Sequence, residues 1–265
     1  MKKRMRVFTG PNGSGKGSII KYIINVEVQD SKKLDFGIYI NADDIADKLK
    51  KNEGFDFVDY EINFSEQEFF EIVKHSVLIS NSFSEFRFRE CINFKKNRLF
   101  IDKKKAGEKN DTAIERIAQI LADYLRKKLL TLGKKFSFET VFSHPGKVEI
   151  IKKAREEGYK VYLYFVSTEH PDINVYRVKK VRVPHKGHNV PKDKIISRYY
   201  RSMDLLFEAT QYCYQCYFFD NSAEGGNQTL FAHFKLNAKG EKEWENLDVK
   251  DIPNWFKKYY SAKIQ

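Results

Sequence analysis

Cysteine, proline and long apolar runs are all scarce in this chain. Its 265 residues include only 3 Cys and 6 Pro, and an odd cysteine count at this length argues against a disulfide framework. Cys213 and Cys216 form a single Cys-x-x-Cys, which we interpret as two packing thiols in a reducing compartment, with a redox or metal role as the alternative. No stretch approaches the roughly 18 apolar residues of a membrane span, and no export signal is recognisable. We therefore expect a cytoplasmic protein that does not enter a membrane.

Positive charge, by contrast, is abundant. The chain carries 48 Lys and Arg against 36 Asp and Glu, a formal net charge of +12. Such a charge suits either a nucleic acid or the phosphates of a small molecule, together with ordinary solvated lysines. The lysines are scattered in runs of two or three and no nucleic-acid-binding module is recognisable, so we favour the second explanation. The 22 Phe and 15 Tyr supply the bulk for a substantial core.

Strand and helix patterns alternate along most of the chain. Short apolar segments predict strands at 4–9, 36–41, 136–139, 160–166 and 217–220. Helical spacing predicts helices at 16–26, 45–50, 112–132, 147–157, 174–183 and 192–210. This alternation predicts an α/β fold with a doubly wound, mainly parallel five-stranded sheet flanked by helices.

Four segments follow from these patterns. Residues 1–51 are predicted to form the first part of the core, and residues 52–111 an inserted region with a helix and a hairpin. Residues 112–225 are predicted to complete the core and to include a lid. Residues 226–265 are predicted to form a C-terminal β-hairpin and helix.

The segment 9–18 reads Thr-Gly-Pro-Asn-Gly-Ser-Gly-Lys-Gly-Ser, which places Gly-x-x-x-x-Gly-Lys between a strand and a helix. In such a loop the backbone N–H groups turn inward around phosphates, and the helix presents its positive end to them. Lys16 then reaches the β- and γ-oxygens. The motif predicts a P-loop NTPase fold that binds ATP through Gly10, Pro11, Asn12, Gly13, Ser14, Gly15, Lys16, Gly17 and Ser18.

One position departs from this motif. The residue after the lysine is normally Ser or Thr, whose hydroxyl binds Mg²⁺, but here it is Gly17. Ser18 follows one residue later, which rotates it by about 100° around the helix. Either the loop shifts so that Ser18 binds Mg²⁺, or water takes that position and metal binding is weaker.

Further motifs follow the P-loop in a fixed order. They are Asn41-Ala-Asp43-Asp44, Phe138-Glu139-Thr140-Val141-Phe142-Ser143, Gly187-His188-Asn-Val-Pro191, Arg198-Tyr-Tyr-Arg201 and Phe219-Asp220-Asn221-Ser222. Together they resemble the zeta toxin family of kinases, in the branch often labelled predicted ATPase. Apart from the insertion, the resemblance spans about residues 4–222.

The resemblance implies an ATP- and Mg²⁺-dependent kinase that transfers the γ-phosphate to a hydroxyl of a small molecule. The better known zeta toxins use UDP-N-acetylglucosamine, so a nucleotide sugar of that type is the suggested acceptor. A separate antitoxin protein is the implied partner.

The resemblance also implies roles for individual carboxylates. Asp43 matches the catalytic aspartate, as a base or as a ligand of Mg²⁺, and Asp44 is the alternative base. Glu139 resembles the substrate-side glutamate, with Thr140 and Ser143 on the same loop. The structural alternatives are that the aspartates cap a helix and that Glu139 merely ends a strand.

The helix before the loop 185–191 and the loop itself carry basic residues and resemble the lid that closes over the phosphates in this family. Arg177 and Arg182 are candidates to close on the γ-phosphate, and we prefer Arg182 because residues five apart do not share one face of an α-helix. His188 stands where better known members carry an arginine; it either binds phosphate or fixes the loop. Arg198 and Arg201 either contact ATP or pair with acidic neighbours.

Two other functions stay open at this point. A polynucleotide or RNA kinase is favoured by the net charge and by the basic, aromatic stretch 86–105, which could stack bases. A nucleotide-binding module without phosphotransfer is favoured by Gly17 and His188, because both depart from the motifs at positions associated with catalysis.

Overall fold

The computed structural model describes residues 3–25, 27–28, 32–107, 111–182, 190–223, 228–245 and 252–264. The chain forms two compact units. The first unit comprises Met1–Gly37 and Ser137–Gln265, and the second comprises Ile38–Phe136. The insertion predicted at 52–111 lies within the second unit.

The regular elements in the described residues are as follows. The strands are β1 (Arg4–Thr9), β2 (Glu27–Val28), β3 (Lys32–Lys33), β4 (Ile38–Ile40), β5 (Phe55–Asp56), β6 (Ile92–Lys95), β7 (Arg98–Ile101), β8 (Phe136–Thr140), β9 (Lys160–Ser167), β10 (Gln215–Asp220), β11 (Thr229–Leu236) and β12 (Lys242–Glu245). The helices are α1 (Lys16–Ile24), α2 (Ala42–Lys50), α3 (Glu66–Val73), α4 (Glu85–Glu90), α5 (Lys103–Ala106), α6 (Asp111–Thr131), α7 (Gly146–Glu156), α8 (Pro171–Tyr176), α9 (Lys192–Asp204), α10 (Leu206–Thr210) and α11 (Asn254–Tyr259).

The first unit is built on a wide mixed sheet. Within the described residues, its strands follow the order β12-β11-β10-β9-β1-β8. Strand β9 pairs in parallel with both β1 and β10, whereas β11 and β12 add antiparallel pairs at one edge. The predicted α/β class with a mainly parallel sheet is confirmed. The sheet is wider than the five strands predicted, because the C-terminal hairpin continues it.

Strand β9 is central because its sequence is almost entirely apolar and both of its edges are paired. Its residues from Leu163 to Ser167 are buried, as expected of a parallel strand with both faces covered. Phe165 packs against Trp255, and Phe218 on β10 packs against Phe256 at a ring-centroid distance of 4.9 Å. The C-terminal helix α11 therefore covers part of one face of the sheet.

The second unit has a core of aromatic rings around helix α6. Tyr124 on this helix packs edge-on against Phe57 and Phe69, with centroid distances of 5.8 and 4.8 Å. Helices α2 and α3 pack against α6, and β5, β7 and β6 form a small antiparallel sheet. The hairpin predicted within the inserted region 52–111 is present as β6 and β7, and helix α4 precedes it.

Two predicted helices differ from the observed ones. The helix expected at 174–183 begins earlier as α8 and changes to a π-helix over Arg177–Arg182. The helix expected at 192–210 is interrupted near Leu205, which separates α9 from α10. None of the helices in the described ranges combines the length and the apolar character that a bilayer crossing requires.

Candidate functional site

The loop between β1 and α1 encloses the side chain of Lys16. This side chain is only 8% exposed, and its Nζ donates hydrogen bonds of 3.0 Å to the carbonyl oxygens of both Gly10 and Pro11. The backbone N–H of Ser14 donates to the same Pro11 oxygen at 3.3 Å. The loop therefore curls around its own lysine, which places an ammonium group where phosphate oxygens bind in such loops.

Close contacts require glycine at several positions of this loop, among them positions 10 and 15. Gly10 has φ +145°, and a Cβ there would lie 2.0 Å from the carbonyl oxygen of Val166. Gly15 has φ +97°, and a Cβ there would lie 2.3 Å from Nδ2 of Asn221. Any larger residue at either position would displace backbone or buried side chains.

Two buried asparagines hold the outer side of the loop. Asn174 on α8 donates from Nδ2 to the carbonyl of Asn12 at 2.7 Å, and Asn221 after β10 donates to the carbonyl of Ser14 at 2.8 Å. The hydroxyl of Thr168 in turn donates to the side-chain oxygen of Asn174. Because these bonds fix the loop from outside, its inner N–H groups are organised before any ligand binds.

The loop also contains polar atoms that suit an anionic ligand. The hydroxyl oxygens of Thr9 and Ser14 are buried and have no hydrogen-bond partner among the described residues. Buried polar groups are normally satisfied, so unpartnered hydroxyls in the loop that encloses Lys16 suit phosphate oxygens as hydrogen-bond partners. The residues present therefore fit the phosphates of ATP.

Glu139 lies close to this lysine. Its Oε1 is 4.0 Å from Nζ of Lys16, and its side chain is 26% exposed. Glu139 occupies the carboxyl end of β8, where parallel α/β sheets place their ligands. The structure thus brings together the predicted phosphate-binding lysine and the predicted substrate-side glutamate.

The loop after Glu139 has an unusual backbone conformation. Phe142 is buried and has φ +63°, in the left-handed region that bulky residues rarely adopt. The hydroxyl of Ser202 on α9 donates to the carbonyl of Val141 at 3.0 Å and holds the loop in place. Thr140 and Ser143 are partly exposed on either side of this strained turn. Strain of this kind is often found at ligand sites.

The arginines near the P-loop have different environments. Arg177 donates to the carbonyl of Asn221 at 2.6 Å and to the carbonyl of Ala223 at 3.0 Å, so in this structure it supports the turn after β10. Arg198 is half-buried, and its Nη1 lies 3.4 Å from Oδ1 of Asn12. The pKa of Arg198 is lowered, first by burial and then by the neighbouring charge of Arg201.

Sequence reasoning did not rank Arg198 as a site residue. In the part of the chain that the structure describes, no carboxylate pairs with Arg198 or Arg201. A half-buried arginine next to the P-loop, with a second cation close to it, is stabilised when an anion binds beside it. The sequence signal was the motif Arg198-Tyr-Tyr-Arg201, for which ATP contact and pairing with acidic neighbours were both left open.

The two predicted aspartates lie in the second unit, in the first turn of α2. The side chain of Asn41 caps this helix by accepting from the N–H of Asp43 at 2.9 Å, so neither aspartate is the cap. Both aspartates are exposed. The pKa of Asp44 is raised, mainly by partial burial and then by repulsion from Asp43 and Asp47.

Few side chains among the described residues are placed to bind Mg²⁺. Gly17 and Ser18 are both exposed on α1, and the described residues include no cluster of three or more His, Cys, Asp or Glu that could hold a metal ion. The described residues thus form no Mg²⁺ site made of protein groups alone. Mg²⁺ in proteins is often held by one or two side chains together with substrate phosphates and water.

Some predicted groups cannot be placed. The side chain of Arg182 and the whole of His188 lie outside the described residues. All three cysteines are free and buried, as expected of packing thiols.

These features define a P-loop α/β fold. A strand of a mainly parallel sheet leads into a glycine-rich loop around a buried lysine, and a helix follows the loop. No protein-family model matches the chain, and neither does any curated protein.

Solved structures nevertheless share its architecture. A chain of the AvrRxo1-ORF1:AvrRxo1-ORF2 complex with sulphate ions is similar over 100% of this chain, with a TM-score of 0.56 and 14% identity. The corresponding complex with ATP gives a TM-score of 0.53 and 15% identity, again over 100% of this chain. In both cases the chain spans 65% of the length of its neighbour. At these identities the likeness shows a common fold.

A weaker likeness involves the PezAT chromosomal toxin-antitoxin system of Streptococcus pneumoniae. There the TM-score is 0.45 and the identity 12%, over 100% of this chain and 80% of the other.

Proposed function

We propose that this protein is an ATP-dependent kinase of the zeta toxin type, which transfers the γ-phosphate of ATP to a hydroxyl of a small molecule. The observation that carries the proposal is the enclosed Lys16, with its Nζ 4.0 Å from Glu139 at the carboxyl end of the sheet. This arrangement joins a phosphate-binding group to a carboxylate that can hold an acceptor.

The phosphate side of the site follows from the loop. The N–H groups of the P-loop and the Lys16 ammonium bind the β- and γ-phosphate oxygens, and the lysine exchanges its two carbonyl partners for them. Arg198 stabilises the charge that develops on the transferred group, and Arg177, Arg182 and His188 are the proposed lid residues. ATP supplies the phosphoryl group, and Mg²⁺ would be held by Ser18 or Asp43 together with phosphate oxygens.

The acceptor side relies more on the resemblance to zeta toxins. Asp43, directly after β4, is the proposed base, with Asp44 as the alternative. The acceptor oxygen bonds to the γ-phosphorus as the bond to the ADP oxygen breaks, and the hydroxyl proton passes to Asp43. Glu139, Thr140 and Ser143 are proposed to orient the acceptor, for which a nucleotide sugar of the UDP-N-acetylglucosamine type is the first candidate.

The structural neighbours support parts of this proposal. One structure with the same fold contains ATP, and both of the more similar structures are complexes of two proteins, ORF1 and ORF2. We therefore propose a separate antitoxin protein as partner of this chain. Buried free thiols agree with a cytoplasmic location.

The test is phosphate transfer from labelled ATP in the presence of Mg²⁺. The acceptors are UDP-N-acetylglucosamine, related nucleotide sugars and short RNA, and the variants are Lys16→Ala and Asp43→Asn. Lys21→Ala, which removes an exposed lysine of the same helix α1, is the matched control. We expect transfer to a nucleotide sugar that the first two variants abolish and the control retains.

Other outcomes would redirect the proposal. Transfer to RNA alone would support a polynucleotide kinase. ATP binding without transfer to any acceptor would support the second candidate, a nucleotide-binding module, which the exposed Gly17 and the absence of a hydroxyl at that position favour. In that case Gly17→Thr would test whether a metal-binding hydroxyl restores transfer.

A further inference from the structure

A separate cavity lies in the first unit, among residues of α10, β12 and the C-terminal segment. Its volume is about 330 Å³, and it shares no lining residue with the P-loop site. The rings of Phe207, Trp244 and Tyr260 and the cations of Lys242 and Lys263 line it, and its lining within the described residues includes no carboxylate. We refer to it as the aromatic cavity.

Lys242 is the unusual group in this cavity. It is half-buried, and its Nζ donates to Oε1 of Gln211 and to the hydroxyl of Tyr260, both at 3.2 Å. The same Nζ lies over the rings of Phe234, Tyr260 and Phe207, at 4.9, 5.7 and 5.9 Å from their centroids. An ammonium has three donors, so two side-chain hydrogen bonds leave one unused.

Within the described ranges, nothing neutralises this charge. No carboxylate pairs with Lys242 there, and burial lowers its pKa. The thiol of Cys216 is near, but burial raises its pKa well above its usual value, so it stays neutral. Ring faces attract a cation without cancelling its charge. A half-buried cation without a counter-ion is unfavourable, and binding of an anion would relieve that cost.

We propose that the aromatic cavity binds a small aromatic carboxylate. The lining offers one half-buried cation, which suits a single negative charge, and the half-buried rings of Phe207 and Trp244, which suit a flat apolar body. Lys263, at the exposed rim, is already bonded to the carbonyl of Asp204 at 3.3 Å and contributes a second, weaker attraction. The volume lies at the lower end of the range for small-molecule pockets, which limits the ligand to one or two rings. This site does not depend on phosphotransfer.

The chain offers a built-in reporter for the test. Trp244 lines the aromatic cavity, whereas Trp255, the only other tryptophan, is 2% exposed and donates from Nε1 to Asp220 at 2.8 Å. Benzoate and 2-naphthoate would be titrated by calorimetry, and benzoate also by tryptophan fluorescence. The uncharged amides, benzamide and 2-naphthamide, serve as matched ligands.

We expect saturable binding of at least one carboxylate and at least tenfold weaker binding of its amide. Lys242→Gln should weaken carboxylate binding by about tenfold or more, as expected for loss of a charge-assisted hydrogen bond. Lys239→Gln removes the same charge from an exposed position in the β11–β12 turn and should leave binding unchanged. Trp244→Phe should remove the fluorescence response.

The proposal would be overturned by three results. They are no saturable binding of either carboxylate, equal binding of acid and amide, or equal binding by wild type and Lys242→Gln. Thermal unfolding of each variant shows whether it is folded. If Lys242→Gln does not fold, the comparison of acid and amide binding to the wild-type protein decides the question. Lys242→Arg, which keeps the positive charge but changes the geometry of the hydrogen-bond donors, then replaces Lys242→Gln as the folded variant.

Discussion

Among single residues, the P-loop glycines are the most demanding positions. A methyl group at Gly15 would lie 2.3 Å from Nδ2 of Asn221 and would occupy a backbone with φ +97°. Gly17, two residues on, has open space around the corresponding position. The two sites therefore form a matched pair on one stretch of chain.

We predict that Gly15→Ala lowers the free energy of unfolding by about 1–3 kcal/mol, because both the clash and the positive φ oppose it. Gly17→Ala, in the first turn of α1, should be neutral or stabilise by up to about 1 kcal/mol. Urea unfolding of the two variants and the wild type measures both changes. Equal stability of the two variants would show that Asn221 moves aside freely.

The P-loop itself could be predicted from the sequence because its motif is local. The side chains that hydrogen-bond to the loop and hold it in place could not be predicted. Asn174 and Asn221 bond to loop residues 162 and 207 positions away, and Arg198 reaches Asn12 across 186 positions. Arg198 and Asn221 belong to motifs that the sequence analysis singled out, and Asn174 belongs to none, but in each case the bond to the loop depends on the fold and not on the local pattern.

Among the elements, the sheet edge formed by β10, β11 and β12 carries a titratable group in an unusual setting. His233 on β11 is 8% exposed, stacks on Tyr217 at 4.4 Å and lies 3.3 Å from a carboxylate oxygen of Glu245. Burial lowers the pKa of His233 below its usual value, and Glu245 opposes that effect in part. Protonation therefore favours the unfolded state, where the imidazole is hydrated.

We predict that the free energy of unfolding falls as the pH drops below the unfolded-state pKa of about 6.5 and levels off only below the folded-state pKa of His233. His233→Gln should remove this part of the pH dependence. His75→Gln, which changes an exposed histidine, should leave it intact. Urea unfolding at several pH values measures the slopes, and identical slopes in all three proteins would contradict the assignment.

Element patterns were predictable to different degrees. The amphipathic period of α6 and the apolar run of β9 gave bounds within one or two residues of those observed. The π-helix over Arg177–Arg182 has no such signature in the sequence. The prediction that Arg177 and Arg182 lie on different faces assumed an α-helix, and the i→i+5 hydrogen bonds of a π-helix change that spacing. The joining of the C-terminal hairpin to the sheet depends on packing against β10, which the hairpin sequence does not reveal.

For the whole molecule, the proposed roles divide between the two units of the chain. The P-loop, Glu139 and Arg198 belong to the first unit, and Asp43 belongs to the second. ATP binding and phosphate transfer should therefore respond differently to changes in each unit. A ligand that binds only the folded state stabilises it by about 2.7 kcal/mol at a concentration of 100 times its Kd.

We predict that ATP raises the thermal unfolding temperature of the wild type by several degrees and that Lys16→Ala abolishes most of this shift. Asp43→Asn should keep the shift while phosphate transfer is lost, because the carboxylate acts on the acceptor proton and the phosphates bind through the loop. Differential scanning calorimetry with and without ATP measures the shift, and Lys21→Ala again serves as the control. If Asp43→Asn lost the ATP shift as completely as Lys16→Ala, Asp43 would act in nucleotide or metal binding, and Asp44→Asn would become the test of the base.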